Sequence, residues 1–580
     1  MNMDSENQTR LGLKTMRRCR RYGVLVVASF LLGACHRGDD AEAAGEVSTW
    51  TPPSPDAIDG VPLDAVKSAL QLRITGATPK GVTADTWRHV RALYANYAGA
   101  PLWLDTQGLS NDRVTELANA LASADSDAIR VDSYPITALA SAVSALRASK
   151  TPTAEQLADA DVLMTSTYAA LGEDLLTGQI DPHTVSQSWY IDPREDHVDS
   201  ALARTLREGP LDRSIQRIRP QDPVYDSLRR QLMLYRELAS KGDWPTIPKG
   251  PQLKPGESGT RTRLAALSDR LRAEGYLPAD TTPVSAAPTR YSHGLAGAVA
   301  RFQARHDIGV DSMLGPETVD ALNKPVSFRL GQIAANLERY RWLPRSLGDR
   351  YILVNVPAFE LTAFDQGKPA LQMKVIVGQD YQGKATPVFS DSMEFVVFRP
   401  YWIVPDSIAK KEVYPKADAD PSFMARNNFE IATIDRRKRV RQRPGDKNSL
   451  GLAKFMFPND FNIYLHDTPQ GELFDKDVRA FSHGCIRLQH PDSLAHFVLG
   501  WSLDRVHQQM HNGPDNHTVN LSRKIPVYIV YFTTYLQNDQ LYFGNDLYNR
   551  DDALVKSVAK AAAGDSASAQ AVETLRESRS

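Results

Sequence analysis

Residues 481–488 read Phe481-Ser482-His483-Gly484-Cys485-Ile486-Arg487-Leu488, and their reading decides how the other parts of the 580-residue chain are understood. Cys485 is the sole cysteine beyond residue 35; the other two are Cys19 and Cys35. A thiol acting as a nucleophile needs a base, donors for the oxyanion it creates and an approach for substrate. This stretch carries candidates for all three. Gly484 lets backbone amides come close to a substrate, so the amides of Gly484 and Cys485 are natural oxyanion donors.

Two histidines compete for the role of base. His483 stands two residues before Cys485, and in extended chain both side chains would point to one side. His466 ends a strand-like run, Phe461 to His466, that includes Tyr464 and is followed by Asp467. A neighbouring strand could carry it to Cys485. The residues alone leave both open. Downstream, Pro491 to Leu499 reads as a helix stopped by Gly500, whose N-terminus would depress the thiol pKa if it pointed at the sulfur.

The surrounding texture is β-rich. Tyr351–Val356, Met373–Val377, Phe395–Phe398 and Val527–Tyr535 are β-branched and aromatic runs bounded by turn residues, as in a sandwich or barrel-like domain. Between 405 and 450 the strand signal stops in a long polar segment, read as a lid. Its basic run, Arg436 to Arg443, suits a solvated loop or the attraction of carboxylates. No aromatic platform interleaves it, which disfavours nucleic acid.

Upstream the period is helical. Ala154–Thr177 is one long candidate, and Val224, Leu228, Leu232, Tyr235 and Leu238 form one apolar face. Thr262–Gly275 reads as a helix capped by Gly275, Leu295, Val299 and Phe302 as a second helical face, and Pro316 as the first turn of a third helix. Phe328–Trp342 is a further amphipathic helix. At the N-terminus, Arg17 to Arg21 precedes a short apolar run, Val24–Leu32, too short for a stable membrane span and patterned like a secretory signal.

Composition sets limits. The chain has 68 basic and 69 acidic residues, net charge −1, and 42% hydrophobic residues, as a multidomain globular protein does. That balance gives no bulk field for nucleic acid. Three scattered cysteines without a CxxC make neither a disulfide framework nor a zinc site, so no metal and no cofactor are expected.

The run IYLHDTP…AFSHGCIRL resembles the signature of the L,D-transpeptidases with a YkuD-type catalytic domain, of the large scaffold-bearing kind. AVARFQARHDIGVDSMLGPETVDALN resembles the small three-helix peptidoglycan-binding domain, and Leu32-Gly33-Ala34-Cys35 resembles a bacterial lipobox. The resemblance implies a multi-domain α+β fold: signal peptide 1–35, disordered tether 36–61, helical scaffold 62–250, peptidoglycan-binding-like unit 251–324, a helix returning to the scaffold at 325–347, a mostly-β catalytic domain at 348–545 with a lid at about 405–450, and a tail without function at 546–580. It implies that Cys485 is the nucleophile and His466 the base, oriented by the backbone carbonyl of Asp467. Gly484, Cys485 and Tyr464 would serve the oxyanion, with Ser482, His483 and Arg487 positioning. It further implies peptidoglycan tetrapeptide stems as donor and acceptor, formation of 3→3 cross-links, and a periplasmic lipoprotein held to the outer membrane through Cys35. Carboxypeptidase or D-amino-acid exchange activity, attachment or detachment of a wall lipoprotein, and a non-catalytic wall anchor are the rival expectations.

Overall fold

The computed structural model describes residues 54–191, 198–208, 210–278, 289–380, 383–537, 540–562 and 566–576. The leader, Cys35 and most of the tether lie outside the described residues. The end of the expected tether is ordered. Ala57–Ile58 pairs with Val61–Pro62, and Ile58 is fully buried in the helical core. One apolar side chain in an acidic, Pro-rich stretch was enough to fix it.

The helical core surrounds Ala154–Thr177, labelled α1, which begins at a Thr153–Gln156 capping box. Helices 63–75, 84–96 and 136–148 pack along it. Asp161 of α1 is fully buried and accepts from the amides of Leu102 and Trp103 and from the Tyr94 hydroxyl. Burial nevertheless pushes its carboxyl up to about 6.

The next long helix, α2 (Pro223–Ser240), starts at Asp222 with Pro223 in its first turn. It packs on α3 (Val326–Arg341), which is buried over most of its length despite carrying Arg329, Gln332, Asn336, Glu338, Arg339 and Arg341. A fully buried ion needs partners on every side. Arg341 has three, Glu338, the Tyr225 hydroxyl at 2.9 Å and the Asp127 carbonyl at 2.8 Å, all on its two terminal nitrogens, while Nε makes no hydrogen bond among the described residues. Glu338 also accepts from the Ile180 amide at 2.8 Å. On the other flank of α3, Asn336 exchanges two 3.0 Å hydrogen bonds with Thr533, Arg339 pairs with Asp551 at 2.6 Å and Tyr340 stacks on Phe532. The helix expected to return to the scaffold therefore shares one core with α2 and the β-rich domain, and reaches the more N-terminal helical segments through Glu338 and Arg341.

The unit at 251–324 has helices Arg261–Ala273, His293–Arg305 and Pro316–Leu322 around Leu264, Leu271, Val299 and Phe302. It leans on the β-rich domain. Arg305 donates to the Leu541 carbonyl at 3.0 Å, Tyr535 donates to Asp307, and His306 is sandwiched between Phe302 and Phe543.

In the β-rich domain, β1 (Trp189–Tyr190) comes from the helical part of the chain. The others on the closed path are β2 (Arg350–Asn355), β3 (Glu360–Asp365), β4 (Lys368–Gly378), β5 (Val388–Phe398), β6 (Ala453–Met456), β7 (Leu465–His466), β8 (Ile486–Leu488) and β9 (His517–Val530), and the short strand Ala480–Ser482 pairs with β4 off that path. The spatial order is β6-β7-β8-β4-β3-β2-β9-β5-β1, and β6 also pairs with β5, so eight strands close on themselves. Inward residues such as Leu465, Ile486, Leu488, Val396 and Phe455 are buried in the common core.

Two expectations need correction. The lid is not strandless: Trp402–Ile403, Phe429–Ile434 and Arg437–Gln442 form a three-stranded sheet over a small core of Val404, Ala409, Val413 and Val440. Asp435 and Arg436 turn this hairpin with positive φ (50° and 61°), so the basic run is a strand whose alternate residues Val440 and Gln442 are buried. The segment 546–580 is not a frayed tail: α4 (Asp551–Ala562) packs on α3, and α5 (Ser566–Arg576) buries Val572 and Leu575 against helices 111–124 and 136–148. Its Ala/Ser richness hid a stripe of Ala571, Val572 and Leu575 at helical spacing.

Leu575 is fully buried in the core of the N-terminal helices. Leu575→Ala should therefore cost about 2–5 kcal/mol there, seen in hydrogen exchange as faster opening of helices 111–124 and 136–148 while β2, β5 and β9 keep their protection.

Candidate active site

β7 and β8 run parallel, with Leu465 opposite Ile486 and His466 opposite Arg487. The Ile486 amide donates to the Tyr464 carbonyl, which sets Cys485 beside Tyr464. Since Leu465, Ile486 and Leu488 turn inward, the alternate residues Tyr464, His466, Cys485 and Arg487 share the outer face. Lys454 on β6 pairs with His466 and joins the same face, its ammonium 3.9 Å from the Tyr464 ring centroid. Only Leu465–His466 of the expected strand 461–466 is in the ladder. Before it, Asn459 accepts from the amides of Phe461 and Ile463 and holds a turn in which Asn462 has φ 55°.

The turn that carries Cys485 is bonded from both sides. Ser482 donates from its hydroxyl to the Cys485 carbonyl at 2.5 Å and accepts the Gly484 amide at 3.0 Å. Thr386 donates to the Gly484 carbonyl at 3.0 Å and accepts the Gly378 amide. Tyr548 and Arg550, beyond the expected catalytic domain, hold Gly378 and Thr386 in turn. A Cβ on Gly378 would lie 1.9 Å from the Lys384 carbonyl, so only glycine fits there. Gly484 takes φ 116°, which ends the alternation expected of extended chain. His483 consequently points to the lid, where its Nε2 meets Glu412 at 2.8 Å, rather than sharing the side of Cys485. The Gly484 amide, expected as an oxyanion donor, is engaged by Ser482.

His466 is buried, with Nδ1 at 2.6 Å from the Asp467 carbonyl. That contact makes Nδ1 the donor and leaves Nε2 as the ring's free acceptor. Asp467 itself accepts from the amides of Leu452 and Thr468. Burial, with the charges of Arg487 and Lys454, lowers His466 to about 3. Burial raises the Cys485 thiol, and the Tyr464 amide and hydroxyl together with Lys454 and Arg487 oppose that rise. The pair is thus neutral at rest, a thiol beside an imidazole. Cys485 is partly exposed, and its sulfur lies 3.8 Å from the Asn462 carbonyl. Arg487 is anchored by Gln470 at 2.6 Å.

The helix Pro491–Leu499 starts beyond the far end of β8 from Cys485, so its N-terminus is not at the sulfur. Two contributors escaped the sequence reading. Lys454 sits in a stretch whose alternation, buried Ala453 and Phe455 around a lysine, was its only signal. Trp402, at the root of the lid, donates from its indole to the Tyr464 hydroxyl, a contact no local pattern encodes. Cys35 lies outside the described residues. Among the described residues no group of three or more His, Cys, Asp or Glu side chains could hold a metal ion.

Three family models match separate parts of the chain: the L,D-transpeptidase catalytic domain at residues 349–529, a scaffold domain at 88–232, and a provisionally described peptidoglycan binding domain at 260–322. A curated protein of Haemophilus influenzae, provisionally described as an L,D-transpeptidase, is 32% identical over 249 residues, which are 38% of this chain and 48% of that protein. The chain thus spans about half the length of that curated relative. A crystal structure of an L,D-transpeptidase from Xylanimonas cellulosilytica matches at 16% identity and a TM-score of 0.16, over 49% of this chain and 100% of the other. Residues 349–529 are therefore an L,D-transpeptidase catalytic domain of the YkuD type, carried in one chain with a scaffold domain and a peptidoglycan-binding domain.

Proposed function

We propose that the protein is a periplasmic L,D-transpeptidase that joins peptidoglycan stems through a thioester on Cys485. The observation that carries this reading is the β7–β8 register, which lines up Tyr464, His466, Cys485 and Arg487 on one face. The Cys485 sulfur attacks the carbonyl of the L-centre of diaminopimelate in a donor tetrapeptide. His466 Nε2 takes the thiol proton as the C–S bond forms, then delivers it to the departing amino group of D-alanine. The side-chain amine of diaminopimelate on a second stem next gives its proton to His466 and attacks the thioester. The new amide is a 3→3 link, and the thiol is restored.

The neutral resting pair suits this sequence, since the proton moves only when substrate is in place. Lys454 and Arg487 favour the thiolate as it develops. With the Gly484 amide engaged, the Cys485 amide and the Tyr464 hydroxyl are the donors proposed for the oxyanion. The Asp467 carbonyl keeps the His466 tautomer, and Ser482 fixes the turn. His483 latches the lid through Glu412. The lid's Arg437, Arg439 and Arg441 lie on one face of their strand, suited to the carboxylates of stems. The peptidoglycan-binding unit supports delivery to the wall, and attachment to the outer membrane through Cys35 belongs to the same proposal.

Incubation with tetrapeptide muropeptides should release D-alanine and give dimers by mass spectrometry. Monomers shortened without dimers would instead indicate a carboxypeptidase, and no release, or an equally active Cys485→Ser, would overturn the assignment. His466→Ala should slow acylation of Cys485 by about 10²- to 10⁴-fold, while His483→Ala should cost less than about tenfold, read by intact mass. Because burial raises the thiol above its ordinary value of 9.0, alkylation of Cys485 by iodoacetamide should keep rising beyond that pH. Lys454→Met, which removes a cation favouring the thiolate, should move the profile to still higher pH.

A further inference from the structure

β1 is the one strand of the catalytic sheet contributed from the helical half of the chain. It pairs in parallel with β5, Trp189 opposite Val388 and Tyr190 opposite Phe389. The two side chains have different fates. Trp189 is buried and meets Trp342, at the end of α3, edge to face at 4.9 Å, which anchors the strand. Tyr190 points to the opposite side and is 48% exposed. On β5, Val397 pairs with Lys454, which pairs with His466. Phe389 is buried in the core, and Tyr190 approaches the neighbourhood of Cys485 through Phe461.

It does not stand alone. Its ring lies 4.6 Å from that of Phe461, which rests on Phe389 at 4.9 Å. The residue after Phe461 is Asn462, whose carbonyl is 3.8 Å from the Cys485 sulfur. One carbonyl contact, one residue and one ring pair link the thiol to the Tyr190 ring, a path that bounds their separation at roughly 20 Å. Three extended residues, at about 3.3–3.6 Å each, reach within that bound. In a donor bound with its third residue at Cys485, those residues are the path back to the sugar from which the stem hangs. A flat, neutral, half-exposed ring suits the C–H face of a pyranose, whereas the carboxylates of the stem suit the basic strand of the lid.

We propose that Tyr190, held on Phe461, is a substrate-positioning surface that the scaffold lends to the active site, and that it receives the amino-sugar ring of the donor strand. This rests on the transpeptidase reading. A sugar-bearing donor then gains affinity that a free stem does not, and the scaffold acts on substrate selection through one side chain.

The test compares two donors, a disaccharide-tetrapeptide and the same tetrapeptide without sugar, by D-alanine release from the purified full chain. Tyr190→Ala should raise KM for the sugar-bearing donor about fivefold to tenfold with kcat little changed. The same variant should leave both constants for the free tetrapeptide unaltered, and Tyr190→Phe should behave like the parent. Equal losses on both donors, no loss on either, or a Phe variant as impaired as the Ala variant would overturn the inference while leaving an active transpeptidase. A parent chain inactive on both donors would overturn the transpeptidase reading, and this inference with it.

Discussion

A charged helix buried between the N-terminal helical part and the β-rich domain is the constraint on which the whole arrangement depends. Removing Arg341 from water is unfavourable unless its guanidinium is paired, and Glu338, Tyr225 and Asp127 engage its two terminal nitrogens. Asp127 is itself fully buried and shared with Arg219 at 2.6 Å and Arg229 at 2.8 Å. Such a network tolerates little displacement, because each ion that shifts leaves another unpaired in a low dielectric. α3 is consequently held in one register against the helices, and through Asn336, Arg339 and Tyr340 against the β-rich domain. Trp342, the next residue beyond α3, supports Trp189, so the position of β1 at the edge of the sheet follows from the same network.

The chemistry at the outer face depends on a similar economy of position. A parallel pair only two residues long sets a histidine and a cysteine on one side of a sheet, and everything around it fixes protonation. The Asp467 carbonyl decides which imidazole nitrogen is free. Burial keeps both members of the pair neutral, and two cations wait beside the sulfur without being able to ionise it on their own. The lid is tied to the turn by His483–Glu412 and to Tyr464 by Trp402. Its movement would therefore be felt at the proposed oxyanion donors as well as at the mouth of the site.

The legibility of these features in the sequence followed their range. Helices with long apolar periods, such as α1 and α2, and strands with β-branched runs, such as β2 and β4, could be read locally. So could the cluster around Cys485. What escaped depended on partners distant in sequence. Lys454 is informative only once β6 is known to lie beside β7. Tyr190 looks like any other aromatic in the sequence until it pairs with residue 389. His483 was ambiguous because the left-handed backbone of Gly484, not the spacing, decides where its ring points. The lid hairpin was hidden by its charge, since from Arg439 to Gln442 partly exposed arginines alternate with buried Val440 and Gln442, a pattern that a run of basic residues masks. The helix α5 was hidden by small residues whose burial is supplied entirely by helices more than 400 positions earlier.

The closed sheet has a consequence for the order in which the chain can become structured. β9 is the strand that joins β2 to β5, and it lies more than a hundred residues after both. A chain emerging amino-end first holds β2 through β5 as an open array, with unpaired backbone along two borders, until residue 530 is available. Nonlocal closure of this kind is slow and leaves strand edges open to mispairing in the meantime. Vectorial emergence therefore sets a waiting period before the cysteine turn, braced between β4 and β8, can acquire its final shape.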